Sequence, residues 1–149
     1  MLARELCYGG WMRHLIAALL LIAMPAHGAE KYPGPYRMTV ERVLDGDSIK
    51  GRVSVWPGTV IEATIRIDGI DTPELRGKCE AEKQKAREAR DYLRAMLGGM
   101  PLVYDVRPDK YGGRYVARLV TAQGVDVAAG MIAAGLARPY DGGKRQPWC

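Results

Sequence analysis

Phenylalanine is absent from this 149-residue sequence, so its core must be built from aliphatic residues, methionine and tyrosine. Cysteine is scarce, with three residues and neither a Cys-x-x-C pair nor the cysteine and histidine spacing of a zinc site. Repeats and low-complexity tracts are also lacking. These absences argue against a structural zinc site and a repeat protein. The length, with 48% hydrophobic and 26% charged residues, predicts one globular domain.

The apolar run at residues 15–24 is too short to cross a bilayer comfortably, because a spanning helix needs about 20 residues. Arg13 precedes the run, and the small residues Ala26 and Gly28 follow it at a spacing typical of signal-peptide cleavage. We therefore predict that residues 1–28 are a signal peptide cut after Gly28. The protein is then exported to the periplasm or the medium without a stable membrane span. A buried core helix is the alternative interpretation.

The position of the start codon is open between Met1 and Met12. Glu5 is unusual in the positively charged leader of a signal peptide. Translation from Met12 would give a more typical leader, with Arg13 directly before the apolar run. Met12 is therefore a hypothetical start, and mapping of the transcript start tests it.

Export changes the interpretation of the cysteines. Cys7 is lost with the signal peptide, which leaves Cys79 and Cys149. In an oxidising compartment, two remaining cysteines indicate one disulfide, here across a loop of about 70 residues. Two unpaired thiols are the alternative.

The chain carries 22 lysine and arginine residues against 17 aspartate and glutamate residues, a net charge of +5. A basic surplus suits a polyanionic partner, such as nucleic acid or an acidic membrane surface. Many basic proteins bind neither, so the charge alone decides nothing.

Periodicity divides the chain into a short Pro/Gly linker at residues 29–35 and a domain at 36–149. Strands are predicted where apolar and polar residues alternate, and helices where the apolar period lengthens to 3.6. The elements in chain order are strands at 36–41, 49–55 and 61–67, a helix at 80–97, strands at 102–107 and 114–121, and a helix at about 125–134. Five strands with a helix after the third predict a β-rich α+β fold, an OB-type barrel with two short helices.

Two side-chain orientations follow from this pattern. Arg66 lies on the polar face of the third strand. In the second helix we expect Ala128, Met131 and Ile132 to point inward.

Three polar clusters lie at predicted turns, namely 45–48, 66–74 and 109–114. Each has a structural interpretation, respectively a hairpin turn, a strand end with a capping aspartate, and a polar loop. Together they supply the parts that phosphodiester hydrolysis needs. Carboxylates hold a hard divalent cation and activate water, and arginines bind a phosphate and stabilise its developing charge. The side chains that offer these parts are Asp47, Arg66, Asp71, Glu74 and Arg114.

Four segments in order resemble the signature segments of staphylococcal-nuclease-like (thermonuclease, SNase) proteins. They are Val43-Leu44-Asp45-Gly46-Asp47-Ser48, Ile65 to Glu74, Asp109-Lys110-Tyr111-Gly112-Gly113-Arg114 and Gly135-Leu136-Ala137. The resemblance covers roughly residues 36–140. It implies an OB-type barrel and a single Ca²⁺ as cofactor, with DNA and RNA as substrates, single-stranded or locally open duplex being favoured.

Roles carried over from the resemblance give each site residue a function. Asp47 and Asp71 would ligate calcium through their carboxylates and Thr72 through its backbone carbonyl. Glu74 would be the general base or orient the water. The remaining catalytic residues would be Arg66, which binds the phosphate, and Arg114, which also assists departure of the leaving oxygen.

The resemblance also suggests substrate contacts for Lys110, Tyr111 and Tyr140, although Tyr140 could equally be a packing residue. Ser48 departs from the usual threonine, and the doubled Gly112-Gly113 leaves the reach of Arg114 open.

The resemblance gives the expected disulfide a purpose. A bond between Cys79 and Cys149 would anchor the far end of the loop that carries Asp71 and Glu74. No sequence signal indicates an oligomer, so a monomer is expected.

Two other function classes remain open at this point. One is an OB-type module that binds nucleic acid with little or no catalysis, and the other is an interaction domain of the cell envelope on the same barrel. The complete set of five charged side chains favours the nuclease. Preference for DNA or RNA, and endonuclease or exonuclease action, are not decided by the sequence.

Overall fold

The computed structural model describes residues 30–149. The predicted signal peptide and both candidate start residues lie outside this range. Residues 30–35, predicted as a linker, run beside a barrel strand, with Tyr32 and Val106 forming an antiparallel bridge. In the described part of the chain, the longest helix has 17 residues, and none is long and apolar enough to cross a membrane.

Five strands close into a barrel in the order β1-β2-β3-β6-β5, and two helices accompany them. The predicted fold is therefore confirmed. Only β3 and β6 run parallel within the barrel. In chain order the elements are β1 (Tyr36–Val43), β2 (Ser48–Trp56), β3 (Thr59–Ile67), β4 (Ile70–Asp71), α1 (Glu80–Met96), β5 (Leu102–Pro108), β6 (Arg114–Val120), α2 (Val127–Ala133) and β7 (Arg138–Pro139).

The short strands β4 and β7 pair antiparallel outside the barrel. Sequence periodicity does not predict them, because two residues are too few to show an alternating pattern. Their pairing places Arg138 opposite Asp71 and Pro139 opposite Ile70, so the chain that leads into the C-terminal residues starts beside this strand.

The core consists of inward-facing aliphatic and methionine side chains, as the lack of phenylalanine requires. Met38, Ile49, Ile65 and Leu119 are almost completely buried. Helix α1 contributes Leu93, together with two buried alanines one and two turns earlier. Small side chains on this face let the helix lie close to the barrel.

The inward face of α2 differs from the prediction. Val127 and Met131 are buried, Ala128 is partly buried against the core, and Ile132 is 36% exposed. The helix begins at Val127, where Asp126 caps it by accepting a hydrogen bond from the Ala129 amide at 3.0 Å. Positions i and i+4 from Val127 then face the core, so the expectation for Ile132 was wrong.

Candidate active site

A cavity of about 730 Å³ opens where four loops meet on one side of the barrel. The loops contain residues 45–48, 66–76, 107–114 and 140–145. All three polar clusters singled out in the sequence therefore line one cavity, and the segment after β7 joins them. Acidic and basic side chains line it in equal number, Asp45, Asp47, Asp68, Glu74, Asp109 and Asp141 against Arg66, Arg76, Arg107, Lys110, Arg114 and Arg145.

Gly46 allows the first loop to approach the helix and the second loop closely. A Cβ added at Gly46 would lie 2.8 Å from the Ala89 Cβ and 3.0 Å from the Thr72 Oγ1. The Ile67 amide donates to the Asp47 carbonyl at 2.8 Å, which fixes the loop against the end of β3. Asp47 is thereby held in a buried position, directly after the residue that contacts Thr72.

The two carboxylates of the first loop crowd each other. Burial, and then the nearby charge of Asp47, raise the pKa of Asp45 to about 6. The Asp47 backbone amide donates to the Asp45 Oδ1 at 3.1 Å, and the Ser48 hydroxyl donates to the Asp47 Oδ1 at 2.8 Å. Ser48 thus makes the contact that a threonine hydroxyl could also make.

Arg66 and Arg114 lie on the same face of the barrel wall. In the parallel β3–β6 pair, Thr64 is opposite Arg114 and Arg66 is opposite Val116. Residues two apart on a strand share a face, so both guanidinium groups point to the cavity. The predicted polar-face position of Arg66 agrees with this geometry.

Each of these arginines is paired with a carboxylate. Arg66 Nη1 donates to the Asp47 Oδ2, and Arg66 Nη2 donates to the Ile70 carbonyl at 3.0 Å. Arg114 Nε donates to the Asp109 Oδ2. Because both ion pairs are only partly exposed, each guanidinium group is held in one direction and does not move freely in solvent.

Asp71, Thr72 and Glu74 follow one another from β4 into the second loop, with different exposure. Asp71 and Thr72 are 3% and 2% exposed, whereas the Glu74 side chain is 55% exposed. The buried Glu82 of α1 supports this loop, because its carboxylate accepts from the amides of Glu74 at 3.3 Å and Lys78 at 3.0 Å. Glu74 therefore reaches solvent from a backbone that is fixed.

The predicted substrate-binding residues also lie at the cavity. Tyr111 is 54% exposed, with the Arg114 Cζ 4.6 Å and the Lys110 Nζ 5.1 Å from its ring centroid. The Tyr140 ring lies 5.8 Å from the Arg66 Cζ, and its hydroxyl donates to the Gly143 carbonyl at 2.7 Å. The Tyr111 ring thus lies beside Arg114, and the Tyr140 ring lies beside Arg66.

The predicted donor set suits a hard cation in its chemistry. Asp47 and Asp71 offer buried carboxylates and Thr72 a backbone carbonyl, and oxygen ligands of this kind are those that Ca²⁺ prefers. Among residues 30–149, Arg66 pairs with Asp47 but no ion pair includes the neighbouring Asp45, so one carboxylate charge at this loop is left for a cation to balance. Within residues 30–149, the one close cluster of three acidic or sulfur side chains is elsewhere, at Cys79, Glu82 and Cys149. Its two sulfurs form the Cys79–Cys149 disulfide, so it offers no thiolates to a metal.

Arg145, which no sequence pattern indicated, also lies in the site. Its guanidinium donates to Asp71, to the Thr72 carbonyl at 3.0 Å, and to Glu74. The tail shows no periodicity, so only the expected disulfide could have revealed this position. Cys149 is four residues beyond Arg145, and its bond to Cys79 requires the tail to return to the loop that precedes α1.

A second missed contact joins the ends of two strands. Arg107 makes a two-pronged pair with Asp68, at 2.6 and 2.7 Å. A bulge between Tyr104 and Arg107, with Asp105 at a φ of 53°, sets the direction of Arg107. Sequence patterns give the approximate extent of a strand but not its bulges.

Comparison with known proteins agrees with this fold. The family model described as staphylococcal nuclease homologue matches residues 64–147, more than half of the chain. The matched range contains the second and third polar loops and the C-terminal residues as far as Pro147, Arg145 included. A comparison with curated proteins finds no match. Since a barrel of the expected topology carries the matched segment, the chain belongs to the family of staphylococcal nuclease homologues.

Proposed function

We propose that the protein is an exported, calcium-dependent nuclease that hydrolyses phosphodiester bonds in DNA and RNA. The observation that carries this proposal is the meeting of Arg66, Arg114 and Glu74 in one cavity. Family membership supports the coarser conclusion, a nuclease or nucleic-acid-binding protein. The chemistry of the cavity favours the enzyme over a simple binder, which would have no use for the exposed Glu74 carboxylate.

Arg66 and Arg114 would bind the scissile phosphate. A guanidinium presents parallel N–H donors that match two phosphate oxygens. Both groups are already directed into the cavity by their carboxylate partners, so little side-chain freedom is lost when the phosphate arrives. Donors fixed before the reaction also stabilise the charge that develops on the phosphate oxygens.

Glu74 would accept the proton of the attacking water. Its side chain is exposed enough for water to reach it, while its backbone is held by Glu82. A carboxylate positioned in this way is a suitable general base.

Asp47, Asp71 and the Thr72 carbonyl would hold the calcium ion. When bound, the ion supplies positive charge that polarises the phosphate. The ring of Tyr111, beside two cationic groups, offers a surface on which an unstacked base can lie. Such contacts favour single strands and locally open duplexes.

Export is supported by the Cys79–Cys149 disulfide, because disulfides persist mainly in oxidising compartments. Further support is the signal-like segment at residues 1–28.

The first prediction concerns Glu74. Glu74→Ser should lower turnover on plasmid DNA, single-stranded DNA and RNA by about 10²–10⁴-fold, the usual contribution of general acid–base catalysis. Each substrate is incubated with calcium or with chelator, and the initial rates are compared. The matched control is Glu62→Ser, since Glu62 is an exposed β3 residue that pairs with Lys50 rather than with the cavity.

Calcium-dependent cleavage that Glu74→Ser loses and Glu62→Ser keeps is the expected result. No cleavage by the wild-type protein, together with retained binding of single strands, would instead identify a nucleic-acid-binding module.

A further inference from the structure

The C-terminal tail, defined as residues 141–149, crosses the cavity and is fixed at both ends. Before it, β7 pairs with β4, and the Tyr140 amide donates to the Gly69 carbonyl at 2.9 Å. At its end, Cys149 is bonded to Cys79, with 6.0 Å between their Cα atoms. The tail is thus a strap between two anchors, over the loop that carries two of the three predicted calcium ligands, Asp71 and Thr72.

Trp148 holds the far end of the strap. Its indole Nε1 donates to the Asp71 Oδ2 at 3.0 Å, and the Arg138 guanidinium lies 3.8 Å from its ring centroid. Arg138 also donates to the Pro147 carbonyl at 3.0 Å. Residues 147–149 therefore stay in place through contacts that do not involve Arg145.

Arg145 occupies the oxygens of the predicted metal site. Its guanidinium donates to the second oxygen of Asp71, to the Thr72 carbonyl and to Glu74. These are two of the three oxygens assigned to calcium and the carboxylate assigned to the water. A calcium ion bound to the Asp71 and Thr72 oxygens would bring its positive charge against this guanidinium, so the two cations compete for the same donors.

The burial of Asp71 explains why a counter-ion is needed there. The Asp71 side chain is 5% exposed, and an unpaired buried carboxylate is strongly destabilising. Without metal, Arg145 supplies the compensating charge. Its own side chain is 40% exposed, and the chain before it turns at Gly142, which has a φ of 96°. Arg145 can therefore swing towards solvent while Trp148 and the disulfide remain fixed.

We propose that Arg145 is a built-in competitor for the calcium site, which occupies the site in the resting protein and leaves when calcium binds. This inference rests on the proposed function, because it takes Asp71 and Thr72 as calcium ligands. The disulfide keeps the displaced guanidinium near the cavity, at a high local concentration. The protein consequently binds calcium more weakly than its oxygen donors alone would allow.

The test measures calcium binding rather than activity. Calorimetry compares the oxidised wild-type protein with Arg145→Gln, and with Lys144→Gln as the matched control for the loss of one positive charge from the same tail. Arg145→Gln should bind calcium about tenfold more tightly, since a competitor that occupies the site about nine-tenths of the time raises the apparent Kd by that factor. Lys144→Gln should bind like the wild type. Arg145→Lys keeps the charge but loses the forked contact, and its affinity should lie between the two.

A second readout follows Arg145 itself. In ¹⁵N-labelled wild-type protein, the Nε–H signal of Arg145, assigned by its loss in Arg145→Gln, should disappear or shift over the calcium range in which binding occurs. An unchanged signal at saturating calcium would overturn the inference.

The two proposals fail in different ways. Equal calcium affinity of wild type and Arg145→Gln would overturn the competitor and leave the calcium-dependent nuclease intact. No calcium binding by either protein would overturn both.

Discussion

At the residue scale, the site depends on a glycine as well as on its charged side chains. Gly46 has no Cβ, and this gap allows the Asp47 loop to lie against Ala89 and Thr72. The close approach of the first loop to Thr72 and to the helix therefore depends on Gly46 and Ala89, two residues whose side chains have no metal-binding atom.

Gly46→Ala should destabilise the protein by about 1–3 kcal/mol, the usual cost of overpacking. Urea unfolding followed by circular dichroism measures the change. Gly112→Ala is the control, because its added Cβ would meet no atom within 4 Å. In Gly46→Ala/Ala89→Gly the contact at 2.8 Å is removed, so the double variant should be more stable than the sum of the single losses predicts. Additive losses would show that Ala89 is not the obstacle.

The sequence predicted most of the charged site residues at this scale, because the three polar clusters are local and sit at turns. It did not predict Arg145 or Glu82. Arg145 contacts residues that are remote in sequence, and Glu82 lies on the buried side of a helix. A pattern that spans ten residues carries no information about a contact across 73 residues.

At the element scale, the barrel followed from periodicity, and the errors lay at the element ends. The start of α2 at Val127 decided which side chains face inward, and the bulge in β5 decided the direction of Arg107. Arg107 then ties β5 to Asp68, directly after the end of β3. Both residues of this pair line the cavity, and the pair connects two strands that are not neighbours in the barrel.

The Asp68–Arg107 pair should make stability depend on pH in acid. The hydrogen bond from Arg107 lowers the pKa of Asp68 below its ordinary value of 3.8. A lowered pKa means that the ionised pair stabilises the fold above about pH 4 and that this contribution is lost as the pH falls through the lowered pKa. The difference in unfolding free energy between wild type and Asp68→Asn should therefore be larger at pH 7 than at pH 3.

Urea titrations at the two pH values measure this difference. Asp91→Asn, on the exposed side of α1, controls for the general loss of a surface charge. A difference of the same size at both pH values would mean that Asp68 acts through packing and not through its charge.

At the scale of the whole molecule, one covalent bond joins the two halves of the chain. The disulfide links residues 70 apart and encloses α1, β5, β6, α2 and β7 within its loop. A cross-link of this length mainly restricts the unfolded chain. The barrel hydrogen bonds do not depend on it, so the fold should form without it but with less stability.

Cys79→Ser/Cys149→Ser should lose about 4 kcal/mol of unfolding free energy, the value of the chain-entropy relation for a loop of this length. Urea unfolding of the oxidised protein and the double variant gives the difference. Wild-type protein under reducing conditions should match the variant, and the variant should be unaffected by reductant. If the reductant lowers the stability of the double variant as much as that of the wild type, the thiol reagent itself and not the loss of the cross-link is responsible.

The parallel pairing of β3 and β6 has a consequence for how the chain tolerates change. Arg114 is the first residue of β6 and is placed by its pairing with Thr64, two positions from Arg66. The backbone hydrogen bonds between β3 and β6 therefore fix the position of Arg114 relative to Arg66. The length of the hairpin that precedes Arg114 does not. The doubled glycine, with Gly113 at a φ of 73°, is absorbed in the hairpin without moving the ladder. Insertions at this tip should therefore leave the backbone position of Arg114 unchanged, whereas a one-residue slip of the ladder would turn Arg114 away from the substrate.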